Sequence, residues 1–193
     1  MFLALIGYRG SGKSAVAEHL AHRLKWHWVD ADAEIESRAG KSIADIFGQD
    51  GEHAFRTLET AVLSHLLHRQ NTILALGGGA VLREENRRHL REACTAGGGK
   101  VIWLKASPET LWRRIQTDTT TAARRPNLTV AGGLNEIHEL LAHREELYRQ
   151  CSDHTIDTDG KPLDEVAGEI QLWFESSRTP QPPAEPGAAV AKP

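Results

Sequence analysis

The sequence is poor in cysteine, in net charge and in long apolar runs. It has two cysteines in 193 residues, Cys94 and Cys151, and their spacing matches no metal-ligand motif. We therefore expect free thiols in a reducing compartment. A net charge of −3 gives no general attraction to nucleic acid or to anionic membranes. The N-terminal apolar run FLALI is too short for a membrane span or a signal peptide, so the sequence predicts a cytoplasmic protein.

Apolar runs alternate with helical patterns along the chain, which is typical of a parallel sheet with crossover helices. The five segments predicted to be strands are 2–6, 27–30, 72–76, 100–104 and 154–158. Helical patterns separate them, and a last one covers 162–177. The expected fold class is α/β, a three-layer α/β/α arrangement with a five-stranded parallel sheet.

Two segments lack the periodicity of a helix or a strand. Residues 117–133 are polar and rich in threonine, with two arginines and a proline, and so long a stretch inside a domain predicts either disorder or a functional lid. From residue 176 onward the sequence is rich in proline and alanine, which predicts a disordered tail. The expected organisation is one domain over 1–175 and a tail over 176–193.

The segment GYRGSGKS, residues 7–14, lies between the first predicted strand and a predicted helix. It fits the phosphate-loop pattern G-x-x-x-x-G-K-[ST], in which backbone N–H groups surround phosphate oxygens. The lysine reaches the β- and γ-phosphates, and the hydroxyl ligates Mg²⁺. The motif alone does not separate a kinase from a GTPase, a helicase or a motor. The residues expected to bind ATP here are Gly10, Ser11, Gly12, Lys13, Ser14 and Ala15.

Two aspartates, Asp30 and Asp32, follow the second predicted strand. Ligands of open α/β sheets bind at the carboxyl ends of the strands, so both acids are expected beside the phosphate loop. There a carboxylate can hold Mg²⁺ through water, accept a proton from an attacking alcohol, or only cap a helix. No acid follows the third strand, where many phosphate-loop enzymes carry one, which makes Asp30 the better metal candidate.

Two further patterns indicate an acceptor site. Arg56 and Glu59 are three residues apart on a predicted helix. They form either a surface ion pair or a pair in which Glu59 orients Arg56 toward a substrate carboxylate, and the residues leave both interpretations open. Gly77, Gly78 and Gly79 directly follow a buried strand and leave the backbone open to close approach by a ligand.

Six motifs, in one order, resemble those of shikimate kinases, small phosphate-loop kinases of the nucleoside-monophosphate-kinase type. They are GYRGSGKS, VDADAEIE, GEHAFRTLE, LALGGGA, the R-P of AARRPNL and the R-E-x-L-Y of HREELYRQC. The resemblance implies transfer of the γ-phosphate of ATP to the 3-hydroxyl of shikimate, with Mg²⁺, by a monomer with no nucleic-acid or membrane partner. Another metabolite kinase, such as a gluconate kinase, and a non-catalytic nucleotide-binding protein are the alternatives.

The resemblance also implies roles for single residues at the acceptor. Asp32 would hydrogen-bond the shikimate hydroxyl and act as general base. Arg56 and Arg144 would bind the shikimate carboxylate. The glycines implied to line the same pocket are Gly77, Gly78 and Gly79.

A second set of implied roles concerns ATP and the metal. Ser14 and Asp30 would serve Mg²⁺, with Asp30 acting through water. Arg125, next to the proline of the lid segment, would close over the transferring phosphoryl group, and Arg124 is the alternative. The positions implied to flank adenine are Arg114 and Pro162.

Overall fold

The computed structural model describes residues 1–117 and 133–177. Within them, five strands form one parallel sheet in the order β2-β3-β1-β4-β5. The strands are β1 (Phe2–Ile6), β2 (His27–Asp30), β3 (Thr72–Ala75), β4 (Lys100–Lys105) and β5 (His154–Asp157). The expected five-stranded parallel sheet is confirmed, and each predicted strand is correct to within one residue at either end.

Eight helices of the described residues connect and cover the strands. They are α1 (Lys13–Leu24), α2 (Ala31–Ala39), α3 (Ile43–Gln49), α4 (Gly51–Leu66), α5 (Glu84–Gly97), α6 (Pro108–Thr117), α7 (Gly133–Cys151) and α8 (Leu163–Ser177). None of them is long and apolar enough to cross a membrane.

The sheet is covered on both faces because its strands are apolar on both. In the central strand β1, Phe2, Ala4 and Ile6 pack into one core cluster with residues of α2, α3 and α4. The alternate residues Leu3 and Leu5 pack into a second cluster with α1 and α8. The alternation of side chains along a strand thus produces the three layers expected from the sequence.

The strands that carry the predicted site end side by side. Ala75 of β3 is in register with Asp30 of β2 on one side and with Leu5 of β1 on the other. The phosphate loop follows β1, the two aspartates stand at the end of β2, and the three glycines follow β3. All three motifs therefore lie at one edge of the sheet.

The predicted domain boundaries are only partly within the described residues. Thr117 ends α6 and Gly133 begins α7, so the ends of the predicted lid segment are helical; 118–132 lie outside the described residues. The last helix continues two residues past the predicted boundary at 175. In its last turn, Ser176 and Ser177 donate side-chain hydrogen bonds to the carbonyls of Trp173 and Phe174. Residues 178–193 also lie outside the described part.

Candidate active site

The ammonium group of Lys13 lies against backbone carbonyls of the phosphate loop. Lys13 begins α1, and its Nζ donates hydrogen bonds to the carbonyl oxygens of Gly7 at 3.0 Å and Tyr8 at 2.9 Å. Gly12, with a φ of 89°, makes the left-handed turn into the helix and brings no side chain to its N-terminus. No side chain of Gly12 therefore caps this end of α1, and the helix dipole favours an anion there.

Ser11 and Gly10 occupy the inner side of this loop. Ser11 is buried, and its Oγ lies 3.4 Å from Lys13 Nζ. A Cβ atom at Gly10 would lie 2.9 Å from a side-chain carbon of Ile115, so α6 packs directly against the loop. Ala15, the last residue predicted to bind ATP, lies exposed in the first turn of α1.

The carboxylate of Asp30 has two different partners. Its Oδ1 accepts the backbone N–H groups of Asp32 at 2.9 Å and Ala33 at 3.3 Å, which caps α2. Its Oδ2 accepts a hydrogen bond from the Ser14 hydroxyl at 2.5 Å. Helix capping and a role in binding Mg²⁺ are therefore compatible for Asp30, because one oxygen caps the helix and the other faces the phosphate loop.

Arg56 is held by two glutamates beside the three-glycine loop. Its guanidinium donates to Glu59 at 2.9 Å and to Glu52 at 3.2 Å. Glu59 is only 4% exposed and Arg56 only 14%, which excludes the surface ion pair that the sequence left open. A Cβ atom at Gly79 would lie 2.5 Å from Arg56 Nη1, so a larger residue here would displace the guanidinium. Gly77 lies buried in the same loop.

Helix α7 brings a second arginine to this region. Arg144 is 9% exposed, and its Cζ lies 5.5 Å from the ring centroid of Tyr8 in the phosphate loop. No carboxylate of the residues 1–117 and 133–177 pairs with it. A cation so little hydrated, and with no carboxylate partner in this part of the chain, is suited to bind an anionic ligand.

One turn further along α7, Tyr148 fixes the glycine loop. Its hydroxyl donates a 2.6 Å hydrogen bond to the carbonyl oxygen of Gly78, and the ring stacks on Trp103. A Cβ atom at Gly78 would lie 3.2 Å from the backbone nitrogen of Arg9, so the glycine loop also touches the phosphate loop. Phosphate loop, glycine loop and α7 thus form one contiguous assembly.

The predicted adenine positions lie at another part of the same edge. Arg114 donates to the side-chain and backbone oxygens of Thr158 at 2.9 and 2.7 Å. Burial lowers the pKa of Arg114, and the charge of Asp159 opposes this. Arg114 is thereby fixed against the segment that leads from β5 to Pro162. Arg125 and Arg124 lie outside the described residues.

Three residues with contacts in this assembly were missed by the sequence interpretation: Arg9, Glu136 and Tyr148. Arg9 donates to Glu136 at 2.6 Å in a buried ion pair. Tyr148 stands in the R-E-x-L-Y motif, and that motif was the only signal for it. Arg9 occupies a variable position of the phosphate loop, and nothing in the sequence pairs it with a residue 127 positions away.

Comparison with known proteins gives one consistent family. The family model described as "Shikimate kinase" matches residues 9–175. A shikimate kinase of Rhodopirellula baltica is 44% identical over 175 residues, covering 91% of each chain. One of Symbiobacterium thermophilum is 42% identical over 170 residues, covering 88% of this chain and 94% of that protein.

Solved structures agree with this result. A shikimate kinase from Acinetobacter baumannii in complex with shikimate has a TM-score of 0.83 and 34% identity, covering 92% of this chain and 94% of the other. A gluconokinase from Sinorhizobium meliloti has a TM-score of 0.53 at 19% identity, a likeness that shows the fold alone. The phosphate-loop kinase fold expected from the motifs is confirmed, and the chain belongs to the shikimate kinase family, whose members are ATP-dependent phosphotransferases.

Proposed function

We propose that the chain transfers the γ-phosphate of ATP to the 3-hydroxyl of shikimate, giving shikimate 3-phosphate and ADP, with the residues described above as its machinery. The observation that carries the proposal is the buried guanidinium of Arg144, which has no carboxylate partner among residues 1–117 and 133–177. Its positive charge is satisfied when an acceptor supplies a carboxylate. Arg56, held by two glutamates beside Gly79, is the second cation of this clamp.

The clamp selects the acceptor and places it for reaction. Phosphoryl transfer depends mainly on positioning and on neutralising charge, because little covalent chemistry falls to the protein. In the proposal, Asp32 accepts the proton of the attacking hydroxyl, and its position two residues after the end of β2 puts it at the edge that the phosphate loop occupies. Lys13 neutralises charge on the β- and γ-phosphates.

A residue at the start of α1 and one at the end of β2 together fit a magnesium ion. Ser14 Oγ and Asp30 Oδ2 are in direct contact, and hydroxyl and carboxylate oxygens are the ligands that Mg²⁺ prefers. In the proposal, Ser14 holds the ion directly and Asp30 holds it through water. Bound there, Mg²⁺ would neutralise charge on the phosphates of ATP.

Several parts of the proposal rest on sequence motifs alone. Arg125 as the group that contacts the transferring phosphoryl group, and Arg114 with Pro162 as the residues that flank adenine, come from the family resemblance. A monomeric state and a lid function for 117–133 have the same basis. A cytoplasmic location is supported by the two free thiols, Cys94 and Cys151, since the cytosol keeps thiols reduced.

A coupled ADP-release assay with ATP and Mg²⁺ tests the function. It compares shikimate, gluconate, AMP and no acceptor at equal concentrations. We expect ADP release that depends on shikimate alone. Release with gluconate would reject shikimate as the acceptor but not a carboxylate clamp, because gluconate also carries a carboxylate. Release with AMP, or release that needs no acceptor, would reject the clamp as assigned and leave only the phosphate loop supported.

A further inference from the structure

A buried ion pair joins the phosphate loop to helix α7. Arg9 Nη2 donates to Glu136 Oε1 at 2.6 Å, and the two side chains are 8% and 0% exposed. Breaking a pair at this depth is costly, because a charge far from water depends on the partner that it has in the fold. The pair therefore holds the loop at 7–14 and the first turn of α7 at a fixed separation.

A second contact links the same two elements. Tyr8 precedes Arg9 in the chain and is 1% exposed, and its ring centroid lies 5.5 Å from Cζ of Arg144 and 6.0 Å from Cζ of Arg9. Glu136 and Arg144 are eight residues apart on α7, which is about 12 Å along the helix axis. These two contacts lie at different positions along the axis of α7. Together they fix the distance of the helix from the loop, its direction and its rotation about its own axis.

The rotation of α7 determines where the Arg144 guanidinium stands. Displacing a positioned group by about 1 Å can reduce a rate about 100-fold, so even a small rotation matters for a carboxylate clamp. We propose that Arg9 and Glu136 are positioning residues, whose ion pair orients Arg144 toward the carboxylate of the acceptor by fixing α7 to the phosphate loop. This inference rests on the function proposed above.

A purely structural pair would have different consequences. It would lower the melting temperature when broken, but the folded fraction would keep its Michaelis constants. A positioning pair changes KM for the acceptor more than KM for ATP. The reason is that the loop keeps its other supports, including the hydrogen bonds from Lys13 to the Gly7 and Tyr8 carbonyls.

Steady-state kinetics of the Glu136→Gln variant of the full chain separate the two roles. We expect KM for shikimate to rise about tenfold or more and KM for ATP to rise about threefold or less, with melting temperatures recorded alongside. Because Glu136→Gln changes the charge of the pair, it is combined with a second variant, Arg9→Lys, which keeps the charge balance and loses only the planar fork. Arg9→Lys is expected to shift the same constants in the same direction, by a smaller factor.

The matched control is Glu146→Gln on the same helix. It breaks the exposed contact between Glu146 and Arg149, and we expect both KM values to stay within twofold of the wild type. Unchanged KM values in Glu136→Gln and Arg9→Lys, or equal increases for both substrates, would overturn the inference while wild-type activity stands. Wild-type protein that releases no ADP with shikimate would instead overturn the proposed function and the inference together.

Discussion

Asp32, the proposed base, stands in the first turn of a helix that another residue caps. Because Asp30 accepts the Asp32 N–H, the Asp32 carboxylate is not needed to begin α2. Asp32→Asn should therefore fold normally and bind ATP as the wild type does. Its kcat should fall by a factor on the order of hundreds, because the amide cannot accept the proton of the attacking hydroxyl.

Turnover and nucleotide affinity, measured on the same preparations, decide the role of Asp32. The matched control is Glu34→Gln on the same helix, which removes a charge from a surface pair with Arg38. That variant should retain wild-type kcat. Unchanged kcat in Asp32→Asn would remove Asp32 from the base role, and a parallel loss of ATP affinity would indicate a structural role.

Arg144 should matter for the acceptor far more than for the nucleotide. Arg144→Ala leaves the acceptor carboxylate with one cation fewer, so we expect the dissociation constant of shikimate to rise by about 10- to 100-fold. ATP affinity should change by less than about threefold. Isothermal titration with each ligand measures both constants, and Arg149→Ala, an exposed arginine of the same helix, is the control. Equal losses for both ligands would show that Arg144 serves the loop and not the acceptor.

Sequence periodicity placed Arg56 and Glu59 on one helix face but could not say what that face contacts. Burial decides between a surface pair and an oriented one, and burial depends on the glycine loop that packs against Arg56. The same holds for Arg9 and Glu136, which meet only through the tertiary fold. Local sequence patterns identified the motif residues themselves. They could not predict contacts between residues that are distant in sequence.

Helix α6 is capped by Ser107, whose Oγ accepts the Thr110 N–H at 3.3 Å, and this capping residue is itself held by another element. Asp159, in the loop after β5, accepts the Ser107 N–H with both carboxylate oxygens, at 3.1 and 3.0 Å. Burial acts to raise the pKa of Asp159, but hydrogen bonds from Ser107 and Thr110 and the charge of Arg114 outweigh it and lower the pKa. The ionised carboxylate therefore stabilises the folded state.

The lowered pKa of Asp159 in the folded state determines how stability should change with pH. A lowered folded-state pKa contributes stability above the ordinary pKa of aspartate, and the contribution is lost as the pH falls through the folded pKa. Asp159→Asn keeps a side-chain acceptor but cannot ionise, so its unfolding free energy should fall less than that of the wild type between about pH 5 and pH 2. We expect a difference of about 1 kcal/mol or less, because solvent screens this half-buried group.

Urea denaturation at a series of pH values measures this difference. Asp164→Asn is a useful comparison, because Asp164 lies exposed on α8. Its pKa is also lowered, by hydrogen bonding to His19 and by the charge of Arg23. Identical pH profiles for wild type and Asp159→Asn would show that the carboxylate contributes no ionisation-linked stability to the start of α6.

The alternation of apolar runs and helical patterns was sufficient to predict the number of strands and their parallel arrangement. It could not predict the order β2-β3-β1-β4-β5, because local patterns do not say which strands are neighbours. That order matters for function, since it places β3 between β1 and β2 and so brings the glycine loop between the phosphate loop and the aspartates.

The end of the folded unit can be tested by truncation. Helix α8 ends at Ser177, and its last buried side chain is Phe174. The ring of Phe174 packs edge-on against Trp26, with 5.4 Å between the ring centroids. The Pro/Ala-rich composition of 178–193 offers no pattern for a core. A chain that stops at residue 177 should therefore keep the wild-type melting temperature and kcat/KM.

Phe174→Ala in the chain of residues 1–193 should, unlike the truncation, reduce stability. It empties a site that is 1% exposed, so we expect a loss of about 3–5 kcal/mol in the free energy of unfolding, measured in urea. Together the two variants locate the boundary: a stable truncation beside a destabilised Phe174→Ala assigns the fold to the residues up to 177. A truncation that melts several degrees lower would instead assign part of 178–193 to the folded unit and move the boundary toward the C-terminus.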